Sequence, residues 1–180
     1  MMPDAGTQNK LALVYPPLAS AWRQVRDEML SVNKIQLKVT EGLRTFAEQS
    51  RVYSLGRSKG PGNKWIISDP KKVVTHARAG QSLHQYGLAL DSAFLCDDPY
   101  LAGAEYQSLS TPMWMEYGRL CIKYGLTWGG SWKKELVDRP HCEMSYGLSL
   151  ADLQLLNEEG GIDAVWTRCA HNSLCGRQVV

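Results

Sequence analysis

Residues 82–95 read SLHQYGLALDSAFL, and the fold is organised around this stretch. Its second half, Leu88–Leu95, is a short apolar run that predicts a strand buried on both faces. Such a strand places Asp91 at the centre of a sheet, with its neighbours packed around it. The small residues Gly87 and Ala89 are consistent with a close backbone approach at the start of the strand.

A second polar phrase, Asp138-Arg-Pro-His141, follows further along the chain. His84, Asp91 and His141 together offer two imidazole nitrogens and one carboxylate oxygen, a set that suits tetrahedral Zn²⁺ and leaves one position for water. An open position predicts a catalytic site rather than a structural one. Asp138 is a candidate general base or acid for that water, and the pattern points to a metallohydrolase. The alternative for Asp138 is a turn residue preceding residues 139–140.

Residues 139–144 predict a short strand, because Pro140 is tolerated only at a strand start or at an edge. Alternate residues of a strand share a face, so Glu143 is expected on the side of His141, where it accepts a hydrogen bond from the far nitrogen of a ligand histidine. Cys142 points to the other face as a small core residue. Its alternative, a fourth metal ligand, would close the site to water.

Hydrophobic periodicity and capping signals predict the remaining elements. They are a helix over Leu18–Leu30, a strand over Ile35–Glu41, a helix from Thr45 to Gly56, a helix over Thr111–Tyr124 and a helix from Ser149 that stops at Gly160-Gly161. Residues 162–180 are assigned to no element.

The stretch from Arg57 to Gln81 is rich in Gly, Pro, Lys and Ser and predicts a long loop. Short strands are expected within it at Trp65–Ile67 and at Lys72–Thr75. A connection of this length is either a wall or lid of a binding cleft or a mobile excursion.

Composition places the chain among single-domain proteins. Its 180 residues are 44% hydrophobic, and we expect one domain over residues 1–180 with a core over about 18–160. The net charge of +2, from 20 basic and 18 acidic residues, is too balanced to indicate a nucleic-acid-binding protein.

The N-terminal segment carries Asp4, and its apolar run ends at Pro16-Pro17, so we expect neither a signal peptide nor a membrane span. The five cysteines are an odd number without CxxC spacing, which favours free thiols and a reducing cytoplasm. A Cys169–Cys175 pair is the alternative in an oxidising environment.

A fixed cation is well suited to hold the oxyanion that develops during acyl transfer. Arg44 is the candidate, because it follows the strand ending at Glu41 and precedes the helix that carries Gln49, so that both side chains can face the cleft. The alternative for Arg44 is a solvated turn residue.

These phrases resemble the M15 zinc peptidases of the D-Ala-D-Ala carboxypeptidase and L-alanyl-D-glutamate endopeptidase type. The resemblance lies in Ser82–Asp91 and Asp138–Glu143, and in two further phrases, Glu41–Thr45 and Trp128–Trp132. It extends from roughly residue 18 to residue 144. The chain departs from the family at Cys142, where an aromatic residue is usual, and in the long loop after Arg57.

The resemblance implies an α+β fold, a single compact domain in which helices flank a small, mainly antiparallel sheet that carries the zinc site. It also implies a set of site residues. These are His84, Asp91 and His141 on Zn²⁺, Asp138 as catalytic base, Arg44 as carbonyl or transition-state stabiliser, and Ser82 and Gln49 along the substrate site.

Within the family the chain most resembles phage endolysins that cut the peptidoglycan stem peptide between L-Ala and D-Glu. We therefore expect a monomer that acts on this peptide, binds no nucleic acid, does not insert into membranes and has no separate wall-binding domain. It is expected in the host cytoplasm until a holin opens the membrane. Alternatives are a D-Ala-D-Ala carboxypeptidase or dipeptidase and an inactive wall-binding module.

Overall fold

A four-stranded antiparallel sheet forms the centre of the computed structural model, which describes residues 4–95, 111–133 and 136–175. The strand order is β1 (Gln36–Glu41), β4 (Ala89–Leu95), β6 (His141–Glu143) and β5 (Thr127–Trp128). The predicted α+β class is confirmed, and so is the central position of the strand that carries Asp91.

The sheet register brings polar residues side by side. Asp91 lies opposite His141 on β6 and opposite Glu41 on β1. The register of β1 shifts between Val39 and Glu41, which is the signature of a β-bulge. The hydroxyl of Thr40, inside the bulge, donates to the backbone oxygen of Asp91 at 3.1 Å. The bulge therefore ends regular pairing of β1 beside Asp91.

Helices α2 (Pro16–Asn33) and α4 (Thr111–Lys123) contact each other, and α2 also packs on β1. The apolar stripe predicted for α2 is fully buried through Leu18, Trp22, Val25 and Met29. Trp22 Nε1 donates to the Ser92 hydroxyl at 2.8 Å, so even the polar edge of this core is satisfied.

Two further helices flank the sheet. Helix α3 (Phe46–Ser54) begins with the predicted capping box, in which Thr45 and Glu48 bond each other's backbone N–H groups. Helix α1 (Ala5–Leu11), which was not predicted, is capped by Asp4. Among the described helices none combines the length and apolarity that a membrane span requires.

The predicted stop at Gly160-Gly161 is confirmed. Both glycines leave the helical conformation, with Gly161 at φ +67°, and a second helical segment follows them within α5 (Leu150–Cys175). The second half packs inward, since Val165 and Cys169 are buried and Trp166 donates to the Tyr86 carbonyl at 2.9 Å. The kink thereby aims the last helix at the turn that precedes β4.

The long excursion after α3 is an ordered part of the fold. It contains the hairpin β2 (Arg57–Lys59) and β3 (Trp65–Ile67), where a strand was predicted at residues 65–67. The other predicted strand, at residues 72–75, is wrong, because Asp69 caps a 3₁₀ turn over Pro70–Lys72 and the chain continues without pairing.

Three of the five cysteines, Cys121, Cys142 and Cys169, are buried free thiols. Cys96 and the side chain of Cys175 lie outside the described residues. The pairing of Cys169 with Cys175 thus stays an untested alternative.

Candidate metal centre

Three side chains from separate elements meet above the sheet. His84 comes from the 3₁₀ turn Leu83–Tyr86, Asp91 from β4 and His141 from β6, and one ligand atom of each lies within 4.8 Å of the others. Asp91 Oδ1 is 3.3 Å from His84 Nε2 and 3.1 Å from His141 Nδ1. Both imidazoles are buried, so the cluster is a compact group able to hold a metal ion.

The far nitrogen of each imidazole is held by an oxygen acceptor. His84 Nδ1 lies 2.9 Å from the Gly42 carbonyl, and His141 Nε2 lies 3.0 Å from Glu143 Oε2. Because a carbonyl can only accept, Nδ1 of His84 carries a proton, so Nε2 is the atom that would ligate a metal ion. This is the support that metal-ligating histidines usually have, and Glu143 occupies the place expected for it.

Electrostatics within the cluster favour charged partners when no metal is bound. Burial opposes the charge of Asp91, but hydrogen bonds from His141 and His84 hold the pKa of Asp91 well below its usual range. Burial likewise opposes the charge of His141, yet Asp91 and Glu143 raise the pKa of His141 to about 10. A metal therefore displaces a proton from His141, and its affinity rises with pH.

The raised pKa of His141 predicts that the stability of the metal-free protein, prepared with a chelator, depends on pH. The contribution of His141 is fully present below its unfolded pKa of 6.5 and is lost as pH rises towards the folded value of about 10. We expect the Tm of chelated protein to fall over that interval, and His141→Gln to remove this part of the slope. Calorimetry of both proteins tests it, and equal slopes would contradict it.

Asp138 lies at the mouth of the cleft, close enough to the cluster to feel its charges. Its backbone is fixed by a turn in which its N–H donates to the Gly129 carbonyl at 3.1 Å. A Cβ on Gly129 would stand 2.5 Å from the Asp138 carbonyl oxygen, so this turn requires glycine. Desolvation in the cleft wall, and then the Asp91 carboxylate, raise the pKa of Asp138, while His141, His84 and Arg44 oppose the rise.

Arg44 reaches the cleft from the loop between β1 and α3. Its Nη1 donates to Gln49 Oε1 at 2.9 Å, and its Nη2 pairs with Glu41 Oε2 at 3.1 Å. The side chain is 13% exposed, and its Nε has no partner among the described residues. Arg44 is therefore a cation held by two side chains in the cleft wall, rather than a solvated turn residue.

Gln49 requires a correction as a substrate contact. It is fully buried, and besides holding Arg44 it donates from Nε2 to the Ala77 carbonyl at 2.7 Å. Both ends of the amide are thus occupied behind the cleft wall. The structure assigns Gln49 to positioning Arg44 and joining α3 to the segment around residue 77.

Gln49→Leu is accordingly expected to leave the bound metal in place and to loosen Arg44. We expect kcat/KM to fall by about tenfold, the order of effect of a lost bond to a charged group. The loss should appear mainly in kcat, because Gln49 does not touch the cleft. Steady-state kinetics with metal analysis checks this. An increase in KM with kcat unchanged would instead indicate that Gln49 contacts the substrate.

The cleft over the cluster has a volume of about 800 Å³. Ser82 lines this cleft, and its contact with substrate stays a prediction. Trp132 also lines it, with its ring centroid 5.0 Å from that of His141. Trp132 and Glu41 were not predicted as site residues. Their signal was present, because each lies in a phrase that carried the resemblance.

Residues 75–144 match the model of a peptidase M15 family, which is described as D-alanyl-D-alanine carboxypeptidase. The match contains His84, Asp91, Asp138 and His141. It therefore includes the whole metal cluster and the carboxylate at its rim.

Two named proteins are similar to this chain. The peptidoglycan L-alanyl-D-glutamate endopeptidase CwlK of Bacillus subtilis (strain 168) is 38% identical over 113 residues, which are 61% of this chain and 61% of CwlK. The match thus spans less than two thirds of that relative. The crystal structure of the Serratia marcescens L-Ala D-Glu endopeptidase ChiX is 23% identical, covers 79% of this chain and 88% of its own, and has a TM-score of 0.48.

The family match contains the residues that build the site. His84, Asp91 and His141 of the cluster, the supporting Glu143 and the rim carboxylate of Asp138 all lie within residues 75–144. Over this stretch the chain is similar to the peptidase M15 family.

Proposed function

We propose that the protein is a zinc-dependent peptidase that hydrolyses the L-Ala–D-Glu bond of the peptidoglycan stem peptide. The observation that carries the proposal is the His84–Asp91–His141 cluster at a cleft that also exposes Asp138 and Arg44. The name of CwlK, a peptidoglycan L-alanyl-D-glutamate endopeptidase, supports the choice of bond.

The donor set fits Zn²⁺. Two imidazole nitrogens and one carboxylate oxygen, each imidazole backed by an oxygen acceptor, match the three-ligand arrangement of catalytic zinc sites. When bound there, Zn²⁺ polarises a carbonyl and lowers the pKa of water to about 7. No cysteine joins the cluster among the described residues, since Cys142 is fully buried on the opposite face of β6.

Asp138 moves the protons of the reaction. As a carboxylate at the cleft mouth it accepts a proton from the attacking water and then delivers it to the leaving amine of D-Glu. Its raised pKa suits both tasks, because a stronger base takes the proton more readily and still releases it to an amine. The turn at Gly129 keeps the carboxylate at the rim.

Arg44 steadies the scissile carbonyl oxygen as negative charge develops on it. Its guanidinium is preorganised by Gln49 and Glu41, so little reorganisation is needed during the reaction.

A second candidate is D-Ala-D-Ala carboxypeptidase or dipeptidase activity, which the description of the matching family favours. It would use the same metal ligands, base and cation. Digestion of purified peptidoglycan followed by identification of new termini separates the two. A free N-terminal D-Glu supports the endopeptidase, and release of D-Ala alone supports the carboxypeptidase.

We extend the proposal to a phage endolysin that is monomeric, stays in the host cytoplasm and reaches the wall when a holin opens the membrane. The resemblance of its motifs to the endolysin branch supports this, whereas CwlK and ChiX are named from bacteria. Expression in a host with and without a holin tests it. Lysis that requires the holin is expected, and lysis without it would contradict the release route.

A further inference from the structure

Charge is distributed very unevenly along the chain. Residues 51–78, which we call the basic strap, contain seven Lys or Arg residues and one acidic residue, Asp69. The strap thus carries a net charge of +6, and the rest of the chain carries −4, against +2 for the whole. The near-neutral total therefore conceals a strongly cationic segment.

The strap is anchored on Tyr53 of α3. The guanidinium of Arg57 lies 4.1 Å from the Tyr53 ring centroid, and Arg78 Nε is 3.2 Å from the Tyr53 hydroxyl. Arg57 also donates to the carbonyls of Tyr53 and Thr75 at 2.5 and 2.9 Å, which ties the two ends of the strap together. These arginines are occupied with holding the strap in shape.

The backbone at the start of the strap is equally constrained. Gly56 has φ +72°, and its carbonyl accepts from the N–H groups of Ser68 and Asp69 at 2.9 and 3.0 Å. A Cβ at Gly56 would stand 2.5 Å from the Asp69 carbonyl oxygen. The hairpin is thus fixed against the end of α3, and its lysines are presented on a defined surface.

Most of the exposed cations of the strap are lysines, together with Arg51 and Arg78. Lys64 and Lys71 are exposed, and neither has a carboxylate within 4 Å among residues 4–95, 111–133 and 136–175. Lys72 pairs with Asp69 at 3.2 Å but remains 74% exposed. Lysines of this kind attract anions as point charges without a shaped pocket, which suits a polymer that carries many anionic groups.

The strap is continuous with the cleft. Val52 and Leu55 from its first part and residues 74–77 from its last part line the same cleft as His84 and Asp138. A polymer whose scissile peptide lies over the metal cluster can therefore reach the strap. The peptide to be cut contains a glutamyl residue, and neighbouring peptides of the polymer bear free carboxylates of the same kind.

We infer that the basic strap docks polymeric peptidoglycan through the carboxylates of stem peptides next to the one being cleaved. This inference rests on the proposed function. It adds a surface that recognises polymeric peptidoglycan, whereas the cleft recognises the scissile peptide bond. Lys64 and Lys71 favour intact wall over a short soluble peptide, and the preference decreases as salt screens the lysines.

The test compares two double variants of equal charge change. Lys64→Glu/Lys71→Glu reverses the outward lysines, and Lys34→Glu/Arg168→Glu reverses two exposed cations outside the strap. We expect the strap variant to show a KM for insoluble peptidoglycan higher by on the order of tenfold, with kcat for a short stem peptide unchanged. The control variant should keep wild-type values with both substrates, and about 1 M salt should abolish the difference.

Several results would overturn the inference. Equal losses in both variants would show a general charge effect, and a loss with the short peptide would place the lysines in the cleft chemistry. Walls stripped of phosphate polymers should preserve the difference, so its disappearance would make phosphate the partner. Binding to anionic vesicles in preference to walls would make a membrane the partner.

Sedimentation with intact wall measures docking without catalysis. If the strap variant alone loses wall binding while no protein cleaves any stem peptide, the proposed function fails and the docking surface stands. If the wild type cleaves the peptide and all variants bind wall alike, the docking surface fails and the proposed function stands.

Discussion

Asp138→Asn is expected to lower kcat/KM for stem-peptide cleavage by about 10²- to 10⁴-fold, the range of a lost general acid–base group. Asparagine keeps the size of the side chain but cannot accept the proton of the attacking water. The ligand atoms of His84, Asp91 and His141 are untouched, so the metal content should equal that of the wild type. Kinetics on a soluble stem peptide, with elemental analysis of the same preparations, measures both quantities.

Asp163→Asn is the matched control, because Asp163 is an exposed aspartate on α5 and should have no effect. The wild type should lose activity as pH falls through the pKa of Asp138, which burial in the cleft wall raises. The variant should lack this acidic limb. If the activity of Asp138→Asn is within a few fold of the wild type, Asp138 is not the catalytic base. The alternative, that it is only a turn residue, would then hold.

Asp91→Ala is expected to abolish both metal binding and activity. Asp91 is the central member of the cluster, since its Oδ1 is the neighbour of both His84 Nε2 and His141 Nδ1. Its loss leaves two buried imidazoles without a carboxylate between them. Metal content should fall to background, and the rise in Tm that added Zn²⁺ gives the wild type by binding the folded state should disappear.

The matched control for Asp91 is Asp163→Ala, which should keep the metal, the Zn²⁺-dependent rise in Tm and the activity. Circular dichroism establishes that Asp91→Ala is folded before its metal content is interpreted. A folded Asp91→Ala protein that retains one equivalent of metal and its activity would show that the ion is held elsewhere.

The parts of the fold that sequence reasoning reached are those with local signals. The apolar run around Leu90 predicted the central strand, and the Thr45–Glu48 spacing predicted the start of α3. The glycine pair Gly160-Gly161 predicted the interruption of α5, whereas the helical segment after it was not predicted. That segment is held by the burial of Val165 and Cys169, and such long-range packing has no local signal.

The site shows the same division. The pairing of β4 with β6 makes neighbours of Asp91 and His141, which are far apart in sequence, and the 3₁₀ turn before β4 adds His84. Gln49 could not be placed in the same way, because periodicity within α3 does not reveal whether a buried amide faces the cleft or the back of Arg44. The hydrogen bond from Gln49 to the Ala77 carbonyl depends on the path of the strap. The sequence did not decide whether that segment forms a wall of the cleft or a mobile loop.

The measurement that tests the central claim most directly is a Zn²⁺ titration of chelated protein during cleavage of a stem peptide that contains L-Ala–D-Glu. We predict no activity without metal, a linear rise that ends at one equivalent of Zn²⁺ per chain, and D-Glu as the only new N-terminus. Full activity in the chelated protein, or a rise that does not saturate near one equivalent, would contradict a single catalytic metal on His84, Asp91 and His141.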